Sequence, residues 1–245
     1  STTAVRDGDR WVVNGQKVWI SRVQHSDLMI LLARTTPLEE VKKKSEGMSI
    51  FLVDLHEAQK KGLTVRPILN MVNHETNELF FDNLEIPAEN LIGEEGKGFY
   101  SVMKNFQTER IALAAMAVGH CQRALSLTLD YVRQRQAFGG PLWNQQTIRQ
   151  RLSMLDAKTR AARAFMYQCA WRVTQGHDIV QDVSMLKALT GELVNEVVQT
   201  CQQFHGGMGY IRETAIERLW RDARVLGIGG GATEVMLEEV AKRMV

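Results

Sequence analysis

A change of hydrophobic period near residue 95 constrains this chain more than any other feature of its sequence. Up to about Asn90, apolar residues come in short, alternating or β-branched runs: RWVVNG, KVWIS, LMILLART, GMSIFLVDL, LTVRPIL and ELFFDNLEI, separated by turn residues. Beyond LIGEEGKGF the period becomes helical, with long segments at about 97–136, 144–175, 180–204, 213–223 and 231–244, broken at FGGP, QGHD and HGGMG. The two periods require different layers, so the expected fold class is α+β in two domains. Residues 1–95 read as a partial antiparallel β-barrel or sandwich, opening on a hairpin whose turn is Asn14-Gly15. Residues 96–245 read as an antiparallel helical bundle, because long helices with short connections pack that way.

Composition narrows the function classes. The 30 Lys and Arg stand against 28 Asp and Glu, a net charge of +2, so nothing in the balance calls for nucleic acid or an acidic membrane surface. No apolar run is long enough to span a bilayer, and the opening STTAVRDGDRWVV has neither the basic nor the apolar region of a signal peptide. Cys121, Cys169 and Cys201 are far apart and odd in number, without the paired spacing of a disulfide scaffold or a zinc site, so no metal is expected and a reducing compartment is the simplest setting.

Two features are out of place in an ordinary bundle. The run IGGGATEVM puts Gly229, Gly230 and Gly231 directly before the last helix. Glycine admits positive φ and close approach, and a helix N-terminus offers free N–H donors; a plain structural turn explains the same letters. On the first long helix, Phe99, Met103, Phe106, Leu113, Met116, Ala117, Ala124 and Leu127 trace an apolar stripe, and Glu109 sits on that stripe. A carboxylate there pairs with Arg110 or a basic residue on a neighbouring helix, or reaches solvent at the stripe's edge, or it is a tuned acid or base. His205 reads as a packed turn histidine. His120 and Cys121 point about 100° apart on a helix, which separates them as a nucleophile pair.

Taken together and in order, NGQKVWIS, LFFDNLEIPAENLIGEEGKGF, ERIALAAMAVGHCQRALSLTLDYVRQRQAFGGPLWNQQTI, QFHGGMGY and ERLWRDARVLGIGGGATEV resemble the acyl-CoA dehydrogenase family of flavoenzymes almost end to end. The resemblance implies that family's middle β-domain and C-terminal helical domain. It also implies a further helical domain and more strands ahead of the point where this sequence begins. Most members carry their catalytic glutamate in the loop before the last helix, where this sequence has Gly230. The long-chain and isovaleryl type instead places it on the first long helix, immediately before an arginine, and Glu109-Arg110 matches that arrangement.

What the resemblance implies is FAD-dependent α,β-dehydrogenation of a long or branched acyl-CoA thioester, an oxidoreductase step of β-oxidation. Glu109 takes the α-proton, the Gly230 N–H polarises the thioester carbonyl, and electrons pass to an electron-transfer flavoprotein. Gln107, Thr108, Arg110 and Gly229 are implied as substrate contacts. FAD contacts carry over to Trp19, Ile20 and Ser21 beside the flavin ring. Arg135, Phe138 and Gln146 match residues that reach the FAD of a neighbouring subunit, Gln203, Gly206 and Gly207 match the adenosine segment, and Thr233 and Glu234 match the pyrophosphate side. Ala232 stands where a threonine is common. A homodimer or homotetramer in the cytoplasm or mitochondrial matrix follows from the same resemblance. Two other readings remain: an acyl-CoA oxidase, or a non-catalytic oligomerising module lacking the leading domain.

Overall fold

The computed structural model describes residues 2–72 and 75–244. By internal contacts the chain divides into two compact units, Ser1–Lys104 and Asn105–Val245.

The first unit is built on one seven-stranded sheet. Strands β1 (Thr2–Asp7), β2 (Arg10–Ser21), β3 (Leu28–Arg34) and β4 (Met48–Asp54) are followed by a short helix α1 (Leu55–Lys60), then β5 (Leu63–Ile68), β6 (Thr76–Pro87) and β7 (Leu91–Ile92). The strand order is β5-β6-β2-β1-β3-β4-β7, so β5 and β7 are its edges and the sheet is not a closed barrel. One junction is parallel, β1 with β3 at Thr3 and Arg34, which the alternating pattern alone does not reveal. Alternation fixes which face is buried: Trp11, Val13, Leu31, Phe51, Leu79 and Phe81 form the core, with the Trp11 and Phe51 rings edge to face at 5.3 Å.

The hairpin expected at Asn14-Gly15 lies elsewhere. β1 pairs with β2 from Thr2↔Gly15 to Asp7↔Arg10, so the reversal is the two-residue turn Gly8-Asp9, and β2 runs unbroken through Asn14. Asn14-Gly15 is instead a bulge against β6, where the Asn14 side chain accepts from Asn83 N at 2.8 Å and donates to Asn83 Oδ1 at 3.1 Å. An Asn-Gly pair supplies the same positive-φ freedom to a bulge as to a turn, and side-chain pairing across the sheet decides between them. Helix α1 follows a capping pattern, with Asp54 Oδ1 accepting from Glu57 N at 3.0 Å. Gly62, at φ +122, lets the chain leave α1, since a Cβ there would lie 2.5 Å from Asp82 O.

Beyond the sheet come α2 (Gly98–Gln134), the two-residue strands β8 (Gln136–Ala137) and β9 (Gly140–Pro141), then α3 (Gln146–Thr174), α4 (Val180–His205), α5 (Ala215–Arg224) and α6 (Thr233–Ala241). Helix α4 is the hub, packing against α3, α5 and α6. Val183, Leu186, Thr190, Val194, Val197 and Cys201 recur on it at three- and four-residue steps, and all are buried. The second unit's main core joins Val194, Val197 and Cys201 to Ala117, Val118, Cys121 and Ala124 of α2, Leu155 and Ala162 of α3, and Ile216 and Ala223 of α5, while Val183 and Leu186 pack with Ala114, Met166 and Cys169 in a second cluster. The three cysteines are buried thiols without disulfides, and burial pushes Cys121 up to about 12 and Cys169 and Cys201 to about 11. No helix among the described residues is long and apolar enough to cross a membrane.

His205 is the packed turn histidine expected: buried, with Nδ1 2.9 Å from Cys201 O and its ring stacked on Tyr131 at 4.4 Å. Burial holds its pKa below the usual 6.5. Its neutral form is therefore favoured in the fold, and stability present above 6.5 falls as pH drops through and below that value. His205→Gln is expected to flatten this part of the pH–stability curve in denaturant titrations. In the first unit, Asp54→Ala is expected to lower stability by about 1 kcal/mol through loss of the α1 cap. Gly62→Ala, which strains φ and meets a backbone oxygen, is expected to cost more in the same assay.

Candidate functional site

The glycine run and Glu109 meet in the second unit. A cavity of about 250 Å³ is lined by Phe106, Glu109, Arg110, Leu113, Gly230, Gly231, Val235 and Met236. Helix α2 supplies four of these residues, the loop before α6 two, and the first turn of α6 the last two. The lining is apolar apart from one carboxylate, one guanidinium and the loop backbone.

Helix α2 buries only part of the expected stripe. Besides Gly98, the residues it buries are Arg110, Ala114, Ala117, Val118, Cys121, Ala124, Thr128 and Val132; Ala117 and Ala124 belong to the stripe, while Phe106 and Met116 are exposed. Most of the buried side chains are small. Glu109 is accordingly exposed at the cavity rather than sunk in the helix interface, and the buried charge is Arg110, only 7% exposed. Among the described residues Nε and Nη1 of Arg110 have no hydrogen-bond partner, and its guanidinium lies 6.0 Å from the centre of the Phe106 ring. Burial draws the Arg110 pKa down, against the opposing influence of Glu239 on α6 and of Glu109. The site thus couples an accessible carboxylate to an adjacent cation that is poorly solvated.

Sterics dictate the glycines. Gly230 has φ +69, and a Cβ on it would lie 2.2 Å from Leu113 Cδ1; Gly231 has φ +109, and a Cβ would lie 2.7 Å from Met236 Cε. A carboxylate side chain at position 230 would have to displace Leu113 and adopt a left-handed backbone. Within the loop, the amides of Ile228 and Gly229 both donate to Val225 O, at 2.9 and 2.7 Å. The Gly230 amide has no partner among the described residues. From below, buried Lys187 of α4 donates from Nζ to Leu226 O at 2.7 Å and to Gly231 O at 3.2 Å. Sequence reading passed over Lys187, because a lysine on an amphipathic helix ordinarily reaches solvent.

The remaining candidates fall in separate places. Gln107 and Thr108 share the turn of α2 that carries Glu109 but are not among the residues lining the cavity, and neither is Gly229. Trp19, Ile20 and Ser21 close β2 in the first unit, where the pairing with β6 slips between Lys17 and Ile20. Trp19 adopts φ 63 with 70% of its surface exposed. Phe138 and Gly139 form the two-residue turn between β8 and β9, both at positive φ, which pushes the Phe138 ring out to 88% exposure; Arg135 lies exposed just before that hairpin. Bulky residues in the left-handed region are strained, and such strain clusters where function requires it. Gln146 is exposed at the first residue of α3. Gln203 and Gly206 line a second cavity with Gln202, Gly209, Tyr210 and Trp220, and open space surrounds the Cβ positions of Gly206 and Gly207. Thr233, buried, donates to Gly227 O at 3.4 Å, and Glu234 is exposed in the first turn of α6. Among the described residues no group of three His, Cys, Asp or Glu is placed to hold a metal ion.

Comparison with known proteins agrees with this architecture. Residues 96–245 match the family description "Acyl-CoA dehydrogenase, C-terminal domain", and residues 1–84 match "Acyl-CoA dehydrogenase, middle domain". The chain is 37% identical to the mitochondrial long-chain specific acyl-CoA dehydrogenase of Mus musculus, over all of its own length and 56% of that protein. It is 31% identical to the 3-(aryl)acrylate reductase of Clostridium sporogenes, covering 64% of it. The crystal structure of an acyl-CoA dehydrogenase from Geobacillus kaustophilus superposes with a TM-score of 0.95 at 37% identity, over the whole chain and 64% of that structure. The chain spans little more than half the length of the mouse relative. In sequence and in fold it belongs to the acyl-CoA dehydrogenase family.

Proposed function

We propose that the chain carries the catalytic and flavin-binding residues for α,β-dehydrogenation of a long or branched acyl-CoA. One observation carries the reading: Glu109 and the side-chain-free Gly230 line one apolar cavity. An acyl chain packs against Phe106, Leu113, Val235 and Met236, excluding water from around the reacting carbons. The Glu109 carboxylate removes the α-proton, and the proton stays on its oxygen. Charge then develops on the thioester oxygen, where the Gly230 N–H, unpartnered among the described residues, donates a hydrogen bond; preorganised donors of this kind are often the largest catalytic contribution. Arg110, adjacent on α2 and buried, lines the same cavity as Glu109.

FAD, when bound, supplies the acceptor that takes the β-hydrogen with its electron pair, leaving the α,β double bond. The residues assigned to it fit such a group chemically. Trp19 and Phe138 offer exposed aromatic faces held in strained backbone, with Ile20 and Ser21 beside the first. Arg135 offers a cation and Gln146 an amide for the diphosphate and adenine parts. The open glycines Gly206 and Gly207 leave room beside Gln203, and the first turn of α6, with Thr233 and Glu234, presents free amides. Phe138 and Arg135 would serve the flavin of a neighbouring copy, which makes a homodimer or homotetramer part of this proposal. An electron-transfer flavoprotein completes it as electron acceptor, with the mitochondrial matrix or the cytoplasm as its setting. The name of the mouse relative supports the long-chain substrate.

The test is anaerobic: the FAD-loaded chain is mixed with saturated acyl-CoAs of graded length and flavin absorbance is followed. Bleaching by long or branched chains is expected. Glu109→Gln is expected to keep its flavin and bleach about 10²–10⁴-fold more slowly. Failure to retain flavin would favour the non-catalytic module, and equal bleaching in both proteins would remove Glu109 from the base's role. Gly230→Ala is expected to slow bleaching about tenfold by shifting the loop against Leu113 and turning its N–H. Most of that loss should return in Gly230→Ala/Leu113→Ala, measured by the same stopped-flow trace.

A further inference from the structure

Lys187 is 1% exposed, yet among the described residues no carboxylate pairs with it. A buried ammonium is ordinarily neutralised by an acid, because desolvation costs more than neutral partners return. Here its acceptors are two backbone carbonyls, Leu226 O at 2.7 Å and Gly231 O at 3.2 Å, which bracket the glycine loop. The only residues between them are Gly227, Ile228, Gly229 and Gly230. The lysine stem passes beneath the loop, with Cε 3.8 Å from the position a Gly230 Cβ would take.

A second contact on the same helix acts on the same loop. Gly191, one turn along α4, has no Cβ, and one placed there would lie 3.0 Å from Leu226 O and 3.1 Å from Gly227 Cα. The close approach of helix and loop depends on that gap, and Lys187 is the bond that closes it. Two basic side chains thus stand near one another, Arg110 in the cavity wall and Lys187 beneath the loop, with no carboxylate pairing Lys187 among the described residues; burial and the nearby Arg110 both pull the Lys187 pKa down. A fold gains little from such an arrangement unless negative charge arrives in front of it.

We propose that Lys187 is a positioning residue for the thioester carbonyl: by tying both ends of the 226–231 loop to α4 it aims the Gly230 N–H at an oxygen that gains negative charge. The proposal rests on the acyl-CoA reading above and extends it from the residues lining the cavity to one that does not. It distinguishes ligands by charge on that oxygen. A 3-oxoacyl-CoA ionises to an enolate and uses the aimed N–H, whereas an S-alkyl-CoA thioether has no carbonyl to place there.

The experiment titrates the FAD-loaded protein with 3-oxopalmitoyl-CoA and with S-hexadecyl-CoA in a calorimeter. Wild type is compared with Lys187→Met and with Gly191→Ala, which pushes the loop off the helix while leaving the lysine in place. Both variants are expected to bind the 3-oxo ligand about 10–100-fold more weakly and the thioether within about twofold of wild type. Unchanged affinity for the 3-oxo ligand, or equal losses for the two ligands, would overturn the proposal and leave Lys187 as a structural tie. If Lys187→Met does not fold, the same two criteria apply to Gly191→Ala. A wild type that binds neither ligand would overturn the acyl-CoA reading, and the proposal with it.

Discussion

The backbone of Leu226 and Gly227 lies so close to helix α4 at Gly191 that a Cβ there would stand 3.0 Å from Leu226 O and 3.1 Å from Gly227 Cα, tighter than an ordinary contact. That approach fixes where the loop into α6 runs. It places Gly230 over Lys187 and beside Leu113, and so sets the floor of the cavity that Glu109 enters from α2. Helix α4 can hold the loop because it is anchored on its other faces by Val183, Leu186, Val194 and Val197, buried against the rest of the second unit. A close-packed interior transmits small displacements, so the loop, the cavity and the helix face form one mechanical unit.

The same packing bears on the proposed placement of the acid on α2. With Gly230 at φ +69 and Leu113 Cδ1 2.2 Å from where its Cβ would stand, a carboxylate side chain in the loop would have to displace Leu113 from a left-handed backbone, and Glu109, four residues before Leu113, lines the same cavity from the helix. Glycine at 230 and glutamate at 109 are thus two halves of one steric solution. Exposure of Glu109 in the protein alone is compatible with its proposed role, because an acyl chain lying on Phe106 and Met236 would desolvate it.

Much of the fold was legible because burial writes a period into sequence. The five long helices lie within a few residues of where their apolar spacing placed them, and the strands of the sheet follow their alternating runs. What escaped depended on pairing between distant segments. Sheet closure is decided by which edges meet, so the alternating runs indicated a partial barrel or sandwich without revealing that β5 and β7 are its edges or that the β1–β3 junction is parallel. Asn14-Gly15 signals positive φ but not whether Asn83 will lie opposite. On α2 the large apolar residues suggested one face, whereas the buried positions are mostly small residues and include Arg110.

The site divided in the same way. Glu109 and Gly230 stood out as chemically odd, and their resemblance to a known arrangement joined them before any coordinates did. Lys187 carried no such mark, since only tertiary packing turns a helix lysine into a buried tie. The claim on which the account turns is that Glu109 moves the α-proton, and the most direct measurement separates that step from oxidation. A 3-thiaacyl-CoA of long chain, bound to the FAD-loaded protein in D₂O, can be followed by NMR for exchange of its α-hydrogens. The account predicts exchange catalysed by the wild type and lost in Glu109→Gln; exchange persisting at the wild-type rate in that variant would contradict it.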